Sequence, residues 1–435
     1  MRTYYLRSFG CQMNDHDAER IRALLEAEAL VRVATPQTAD VIVYNTCTVR
    51  RSADERFYGH LGEAARLKRD DPERLVLVCG CLPQAEGAAF LDEHPFVDAA
   101  VGPQNVHRLT DIVRQRRRGC ACLADGGTFS GDLPACRERP FQAWVQVMSG
   151  CTQACSYCVV PYVRGPERSR PAQTIVDEVR RLVADGVVEV TLLGQNVNAY
   201  GSDIPDASRR SSFARLLGRL DRVGGLRRVR FTTSHPKDLS DELVAAMATL
   251  PTVCEHLHLP AQSGSDRTLA AMGRGYTMER YMGRIEAVRA AVPDIAITTD
   301  LMVGFPGETE ADFEATLGLV RRARFDSAFT FVFSPRPHTL AARLPGQVDR
   351  EVARARIARL VEVTQRIAAE RRADAVGRTS EVLVEGRSRD GSQMRGRTRQ
   401  NVTVNFSGKA EPGALVPVLV TSATSTTLAG HVAPA

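Results

Sequence analysis

Three cysteines, Cys151, Cys155 and Cys158, fall in the stretch SGCTQACSYCVVP that begins at Ser149. Cys-x3-Cys-x2-Cys is not zinc-finger spacing, which pairs cysteines and closes four ligands. Thiolates are soft ligands and suit iron–sulfur clusters as well as zinc. A cubane of four irons held by three cysteines leaves one iron open, and an open iron is a place where a cofactor can chelate.

A second trio is spread over the first 81 residues. Cys11 follows YYLRSFG, Cys47 follows VIVYNT, and Cys81 follows the run LVLVCG. Each is expected just beyond the carboxyl end of a parallel strand, where open α/β sheets place their ligands. Small or polar neighbours (Gly10, Gln12, Asn14, Asn45, Thr46, Gly80) leave room for backbone N–H groups to approach sulfide. A single such thiol reads as a buried core residue. Three at one topological address favour shared ligation. Cys79 is expected to point into the sheet, while Cys120, Cys122, Cys136 and Cys254 carry no assigned role. His235, His256 and His258 read as satisfied polar residues, not as metal ligands.

The elements that must carry these residues follow from hydrophobic pattern. Residues 1–118 alternate strand and helix, with a first helix expected to start near Asn14 or Asp15 and to be capped by one of them. QAEGAAFLDEH reads as one helix. The nearly continuous apolar strands imply an N-terminal doubly wound parallel-sheet domain covered on both faces. Residues 119–139 are rich in Gly, Asp, Pro and Ser and read as a linker. Residues 140–374 hold six β-α units, too few for the eight of a closed barrel, so a partial (β/α)6 barrel is expected, followed by a long charged helix. Residues 375–435 read as short strands forming a small all-β, OB-like barrel. The fold class is α/β.

Further strand ends could line a cofactor pocket: Gly194, Gln195 and Asn196 after one strand, Gln262 and Ser263 after another, and Gly304, Pro306 and Gly307 after a third. Gly and Pro there make turns that let backbone approach a ligand.

The chain of 435 residues has a formal net charge of +6, which suits an anionic partner without demanding one. Aromatics are 6% with a single Trp, Trp144, so base stacking is not expected to dominate binding. No signal-peptide pattern opens the sequence, and no apolar run approaches the roughly 18 to 20 residues of a membrane span. A cytoplasmic protein with reduced thiols is expected, and its 11 cysteines then read as ligands more than as disulfides.

With CTQACSYC at the end of the first barrel strand, the central region resembles the radical S-adenosylmethionine superfamily. The whole chain resembles the methylthiotransferases, a family built from an N-terminal methylthiotransferase domain, a radical core and a C-terminal TRAM domain. FGCQMN, YNTCTV and CGCLPQ match the family's auxiliary-cluster motifs. The resemblance implies two 4Fe-4S clusters, an auxiliary one on Cys11, Cys47 and Cys81 and a radical one on Cys151, Cys155 and Cys158. It also implies S-adenosyl-L-methionine as cofactor: one molecule methylates a sulfur species, and a second yields the radical that attacks the acceptor. FGCQMND, TTSHPKDLSDEL and GRTRQNVTVNF look like the tRNA-2-methylthio-N6-dimethylallyladenosine synthase branch. The acceptor implied is N6-isopentenyladenosine at position 37 of tRNA, and a reductase, a possible sulfur or cluster donor and a monomeric state are expected with it. His338 and Ala154 depart from that branch's pattern. A ribosomal-protein aspartate methylthiotransferase and a non-enzymatic iron–sulfur RNA-binding protein are the alternatives. Chemistry agrees with a radical route, because carbon 2 of adenine has a strong, non-acidic C–H bond that a side-chain base cannot readily activate.

Arg395, Arg397 and Arg399 alternate within RSRDGSQMRGRTR. On a strand this places them on one face, a row suited to phosphate oxygens. RQRRRG at Arg114 to Gly119 reads as a helix C-terminus.

Overall fold

The structure, a computed structural model, describes residues 2–48, 51–123, 129–204 and 212–434. VIVYNT and LVLVCG are buried at every position. Strands with no polar face must lie inside a parallel sheet with helices on both sides. They do: the first sheet has the order Val31–Arg32, Thr3–Ser8, Val41–Thr46, Leu75–Gly80, Ala99–Val101, Cys120–Cys122, every pairing parallel. Helices Gln12–Ala27 and Leu109–Gln115 pack on one face through Ile21, Leu24, Leu25, Ile112 and Val113. Helix Arg51–Asp70 covers the other through Phe57, Leu61, Ala64 and Leu67.

Two details differ from expectation. Cys120–Cys122, inside the stretch expected to be a linker, is the sixth strand of this sheet, too short and too cysteine-rich to show a strand pattern. QAEGAAFLDEH is not one helix but parts of two, Cys81–Glu86 and Ala89–Glu93. Gly87 at φ +70° breaks them apart.

The central region has six parallel strands in two linked sheets. Gln142–Gln146, Glu189–Leu193 and Arg228–Phe231 form one, and His256–His258, Ala296–Val303 and Ser327–Val332 the other. An isolated parallel bridge from Val229 to Val253, just before His256–His258, links them. The first and last strands do not pair, so the barrel is open, as six β-α units require. Helix Arg350–Ala373 packs on the last strand.

The C-terminal strands Thr379–Arg387, Met394–Thr398, Thr403–Ser407, Thr427–Val432 and Leu415–Ala423 close a barrel in that order around Val382, Val404, Phe406 and Val418. It docks on the amino ends of the central strands. Arg228, wholly buried, donates to the Glu381 carboxylate at 2.8 Å and to the Arg397 carbonyl at 2.9 Å. Arg230 donates to the carbonyls of Thr398 and Arg399, each at 2.7 Å.

Candidate functional site

The N-terminal trio flanks the point where strand order reverses, between Thr3–Ser8 and Val41–Thr46. Helix Gln12–Ala27 starts earlier than expected: its N-cap is Cys11, and Asn14 lies inside the first turn. Asn14 Oδ1 accepts from the Cys11 N–H at 3.2 Å, and its amide donates to the Thr46 carbonyl at 2.8 Å, tying the loops of Cys11 and Cys47 together. Two glycines let those loops close. A Cβ on Gly10 would stand 2.5 Å from the Cys47 Cβ, and one on Gly80 would stand 2.3 Å from the Thr46 carbonyl oxygen. Cys81 opens the helix Cys81–Glu86.

The three thiols bias one another's ionisation. The Cys11 thiol is lowered to about 6, chiefly by a hydrogen bond with Cys47, with the Arg164 charge assisting. Burial pushes Cys81 up, opposed by Arg164, while Cys11 adds to the rise. Cys79 lies in the apolar core, and burial pushes its thiol far up, so it is not a fourth member.

The second trio sits in the loop between Ser149 and the short helix Val160–Arg164. The Cys151 N–H donates to the Gly165 carbonyl at 3.1 Å, and the Cys158 N–H to the Cys155 carbonyl at 3.0 Å. The Arg274 guanidinium lies 3.4 Å from the Cys155 sulfur. Burial raises Cys158 to about 12 and Cys151 to about 11, with the neighbouring cysteine charges adding to both. Such thiols ionise readily only when a cation takes the proton's place.

Among the described residues, no three His, Cys, Asp or Glu side chains could share one metal ion. A cubane binds each of its cysteines through a different iron, so its ligand sulfurs stand further apart than those around a single zinc. Two buried loops with three thiols each, one at helix N-termini and one beside a guanidinium, fit that donor set.

Between the N-terminal domain, the open barrel and the C-terminal barrel lies a cavity of about 400 Å³. Gln12 and Asp15 reach it from the Cys11 side, Trp144, Glu189, Arg230 and His256 from the barrel, and Arg397 from the C-terminal domain. A chain of polar contacts extends along the inner wall. Thr298 Oγ1 lies 3.3 Å from His256 Nε2 and 3.0 Å from His258 Nδ1, and His258 Nε2 lies 3.5 Å from Asp300.

The other expected pocket residues divide. Gln195 and Asn196 are the strongest candidates to meet a ligand. Gln195 Oε1 accepts from the Gly150 N–H at 2.5 Å, and Asn196 donates to Asp238 at 2.8 Å. Gln195 Nε2 and Asn196 Oδ1 are buried with no protein partner. Gly194 has a packing reason, since a Cβ there would stand 2.6 Å from Met148 Cγ. Gln262 takes φ +69° and bridges to Leu301. The Ser263 hydroxyl lies 3.4 Å from that of Thr316 on a covering helix. Gly304 packs against Ala353 of the long helix, while Gly307 donates to the Gly346 carbonyl at 2.7 Å. Pro306 is buried between them. None of these eight residues, Gln195 and Asn196 included, lines the cavity of about 400 Å³.

Residues 145–320 match the description Radical SAM superfamily, residues 3–102 match Uncharacterized protein family UPF0004, and residues 374–433 match TRAM domain. The chain is 47% identical over 437 residues to the tRNA-2-methylthio-N(6)-dimethylallyladenosine synthase of Mycolicibacterium paratuberculosis, covering 97% of this chain and 84% of that protein. It is 45% identical to the synthase of Carboxydothermus hydrogenoformans, covering 97% of each. The chain belongs to this synthase family. It spans 61% of the length of the like-named protein of Mycobacterium avium, at 47% identity. Among solved structures, it shares its fold with the radical S-adenosylmethionine methyltransferase TsrM of Kitasatospora setae, at TM-score 0.59 and 15% identity, over 78% of this chain and 77% of that one.

Within this synthase-family chain the arginine row is not a free face. Arg397 donates to Glu385 at 2.9 Å and to Asn401 at 3.2 Å. Arg399 lies beyond the strand end and clamps Glu255 at 2.7 and 2.8 Å, together with the carbonyls of Pro251 and Val253. Arg395 stays on the strand, half-buried, its Nε without a partner. Arg114 pairs with Glu28, and Arg116 and Arg118 with Glu73, so RQRRRG braces the N-terminal domain. The His338 ring lies 6.2 Å from that of Tyr162, while Ala154 faces Gly273, whose missing Cβ would stand 2.7 Å from the Ala154 carbonyl oxygen.

Sequence reasoning missed Arg164. It is buried and donates to Asp17 Oδ2 at 3.1 Å, and its guanidinium also bonds the Cys81 sulfur, with Cys11 within reach of its charge. Burial would lower its pKa, but Asp17 and the neighbouring cysteine sulfurs outweigh it and hold the cation firmly charged. Nothing local in the sequence marks it, since Glu167 three residues on offers a nearer partner than Asp17.

Proposed function

We propose that the chain is a tRNA methylthiotransferase that converts N6-isopentenyladenosine at position 37 to its 2-methylthio derivative. The observation that carries this reading is similarity along nearly the whole chain to synthases of that name. Cys151, Cys155 and Cys158 hold one 4Fe-4S cluster, and Cys11, Cys47 and Cys81 hold the other. The clusters with S-adenosylmethionine supply the radical that activates carbon 2 and the methylthio group that replaces its hydrogen.

The chain's own residues do the rest. Gly10 and Gly80 close the auxiliary loops. Arg274 stabilises negative charge at Cys155, and Gln195 and Asn196 offer unpaired polar atoms beside the radical loop. The cavity walls of Trp144, Glu189, Arg230 and His256 offer ring faces and hydrogen-bonding groups for a purine. Arg395 contributes to the phosphate grip, with an electron donor and a sulfur donor completing the cycle from outside.

The test is mass analysis of tRNA nucleosides from a deletion strain restored with the wild-type gene or with Cys155→Ala. The methylthio nucleoside should return only with the wild type. Restoration that leaves tRNA unmodified but methylthiolates a ribosomal-protein aspartate would replace this reading.

A further inference from the structure

Arg164 stands between the two cysteine trios and belongs to neither. Its helix, Val160–Arg164, directly follows Cys158. Val159 and Val163 of that segment pack against Cys81 of the other trio. The next carbonyl, that of Gly165, receives the Cys151 N–H at 3.1 Å. The fit is tight, since a Cβ on Gly150 would stand 2.0 Å from the Pro166 carbonyl oxygen. One short turn thus fixes a radical-loop cysteine with its backbone and meets Cys81 of the auxiliary trio with its side chains.

The side chain's own partner is a hub. Asp17 accepts from Arg164 at 3.1 Å, from the Ser130 hydroxyl at 3.1 Å, and lies 3.1 Å from His16 Nδ1. Ser130 in turn reaches Gln146 of the first barrel strand at 3.2 Å. A buried guanidinium is costly unless its charge is answered. One carboxylate shared three ways answers it only in part. Iron-bound cysteines are thiolates, so the occupied auxiliary site adds buried negative charge next to this cation.

We propose that Arg164 is a positioning residue for the auxiliary cluster: a buried cation that compensates its thiolates and locks it to the loop of the radical cluster. This rests on the two-cluster reading above. Hydrogen bonds and charge around a cluster set its potential. Reduction adds one negative charge, so removing the cation should make reduction harder and the midpoint more negative.

The experiment uses full-length protein carrying Cys151→Ala, Cys155→Ala and Cys158→Ala, so that only the auxiliary cluster is present. Arg164→Gln and Arg164→Lys are added to it, and iron content and the EPR-monitored midpoint are measured. The expected result is a more negative midpoint or iron loss in Arg164→Gln, with Arg164→Lys nearer the parent. In the chain with all six cysteines, Arg164→Gln should still form 5′-deoxyadenosine while methylthiolation falls about 10- to 100-fold, as for other outer-shell partners. Parent-like iron and midpoint in Arg164→Gln would overturn the proposal, as would equal iron loss in both variants. If the parent itself binds no cubane, the two-cluster reading falls, and this proposal with it.

Discussion

A cysteine at a helix N-terminus meets backbone N–H groups that have no partner within the helix, and these favour thiolate over thiol. Cys11 occupies that position, which the sequence hid behind a more obvious cap. Asp15 and Asn14 look like capping residues, but Asn14 turns back to bond Cys11 and Thr46 instead. The cysteines themselves were legible because three recurred at one strand-end address. Arg164 and Asp17 were not, since a buried ion pair 147 residues apart leaves no local pattern.

Two predictions belong at this scale. His16 is wholly buried, and its pKa is lowered to about 4 by burial first and the Arg20 charge second, against the pull of Asp17. The unfolded chain therefore binds more protons between pH 6.5 and 4, and stability must fall as pH falls through that window, by a few kcal/mol in all. Thermal unfolding of cluster-free protein at pH 7 and 5 checks it: His16→Gln should flatten the slope, and an identical slope would contradict the assignment. Arg395→Ala should weaken tRNA binding and reduce the salt slope by about 1. Affinity unchanged over a salt series would remove Arg395 from the interface.

At the scale of elements, strand ends position the site and glycines decide how closely they approach. Gly80 has φ +100° and no room for a Cβ beside the Thr46 carbonyl. Gly80→Ala should cost about 1 to 3 kcal/mol in backbone strain and clash. The auxiliary iron should be lost while 5′-deoxyadenosine formation persists, and iron analysis with a cleavage assay reads both. Parallel strands and the partial barrel were legible, because fully buried strands show unbroken apolar runs. Cys120–Cys122 was not, because three residues at a sheet edge carry no period. The Arg395 to Arg399 alternation was a true strand pattern up to Thr398. Beyond it tertiary contacts took over, and Arg399 became a clamp on Glu255.

At the scale of the molecule, three units meet around one cavity, and the C-terminal barrel is fixed by buried arginines. Arg228 has no exposed surface and bonds Glu381 and two backbone carbonyls across the boundary. Arg228→Met leaves those acceptors unpaired, a loss of about 3 to 5 kcal/mol for a broken buried pair. Limited proteolysis should then release a fragment cut near residue 375, while a wild-type digestion pattern would show that docking rests elsewhere. The C-terminal barrel itself was legible in sequence, but these docking contacts were not, since Arg228 is one of three arginines in LRRVRF with nothing to mark it.

Methylthiolation by this chain requires two separate cysteine trios, each holding a cubane. Iron in anaerobically reconstituted protein tests it directly, comparing the wild type with a Cys11→Ala, Cys47→Ala, Cys81→Ala variant. About eight irons per chain are expected in the first and about four in the second, which should still cleave S-adenosylmethionine. About four irons in both would contradict the second cubane and the methylthiolation built on it.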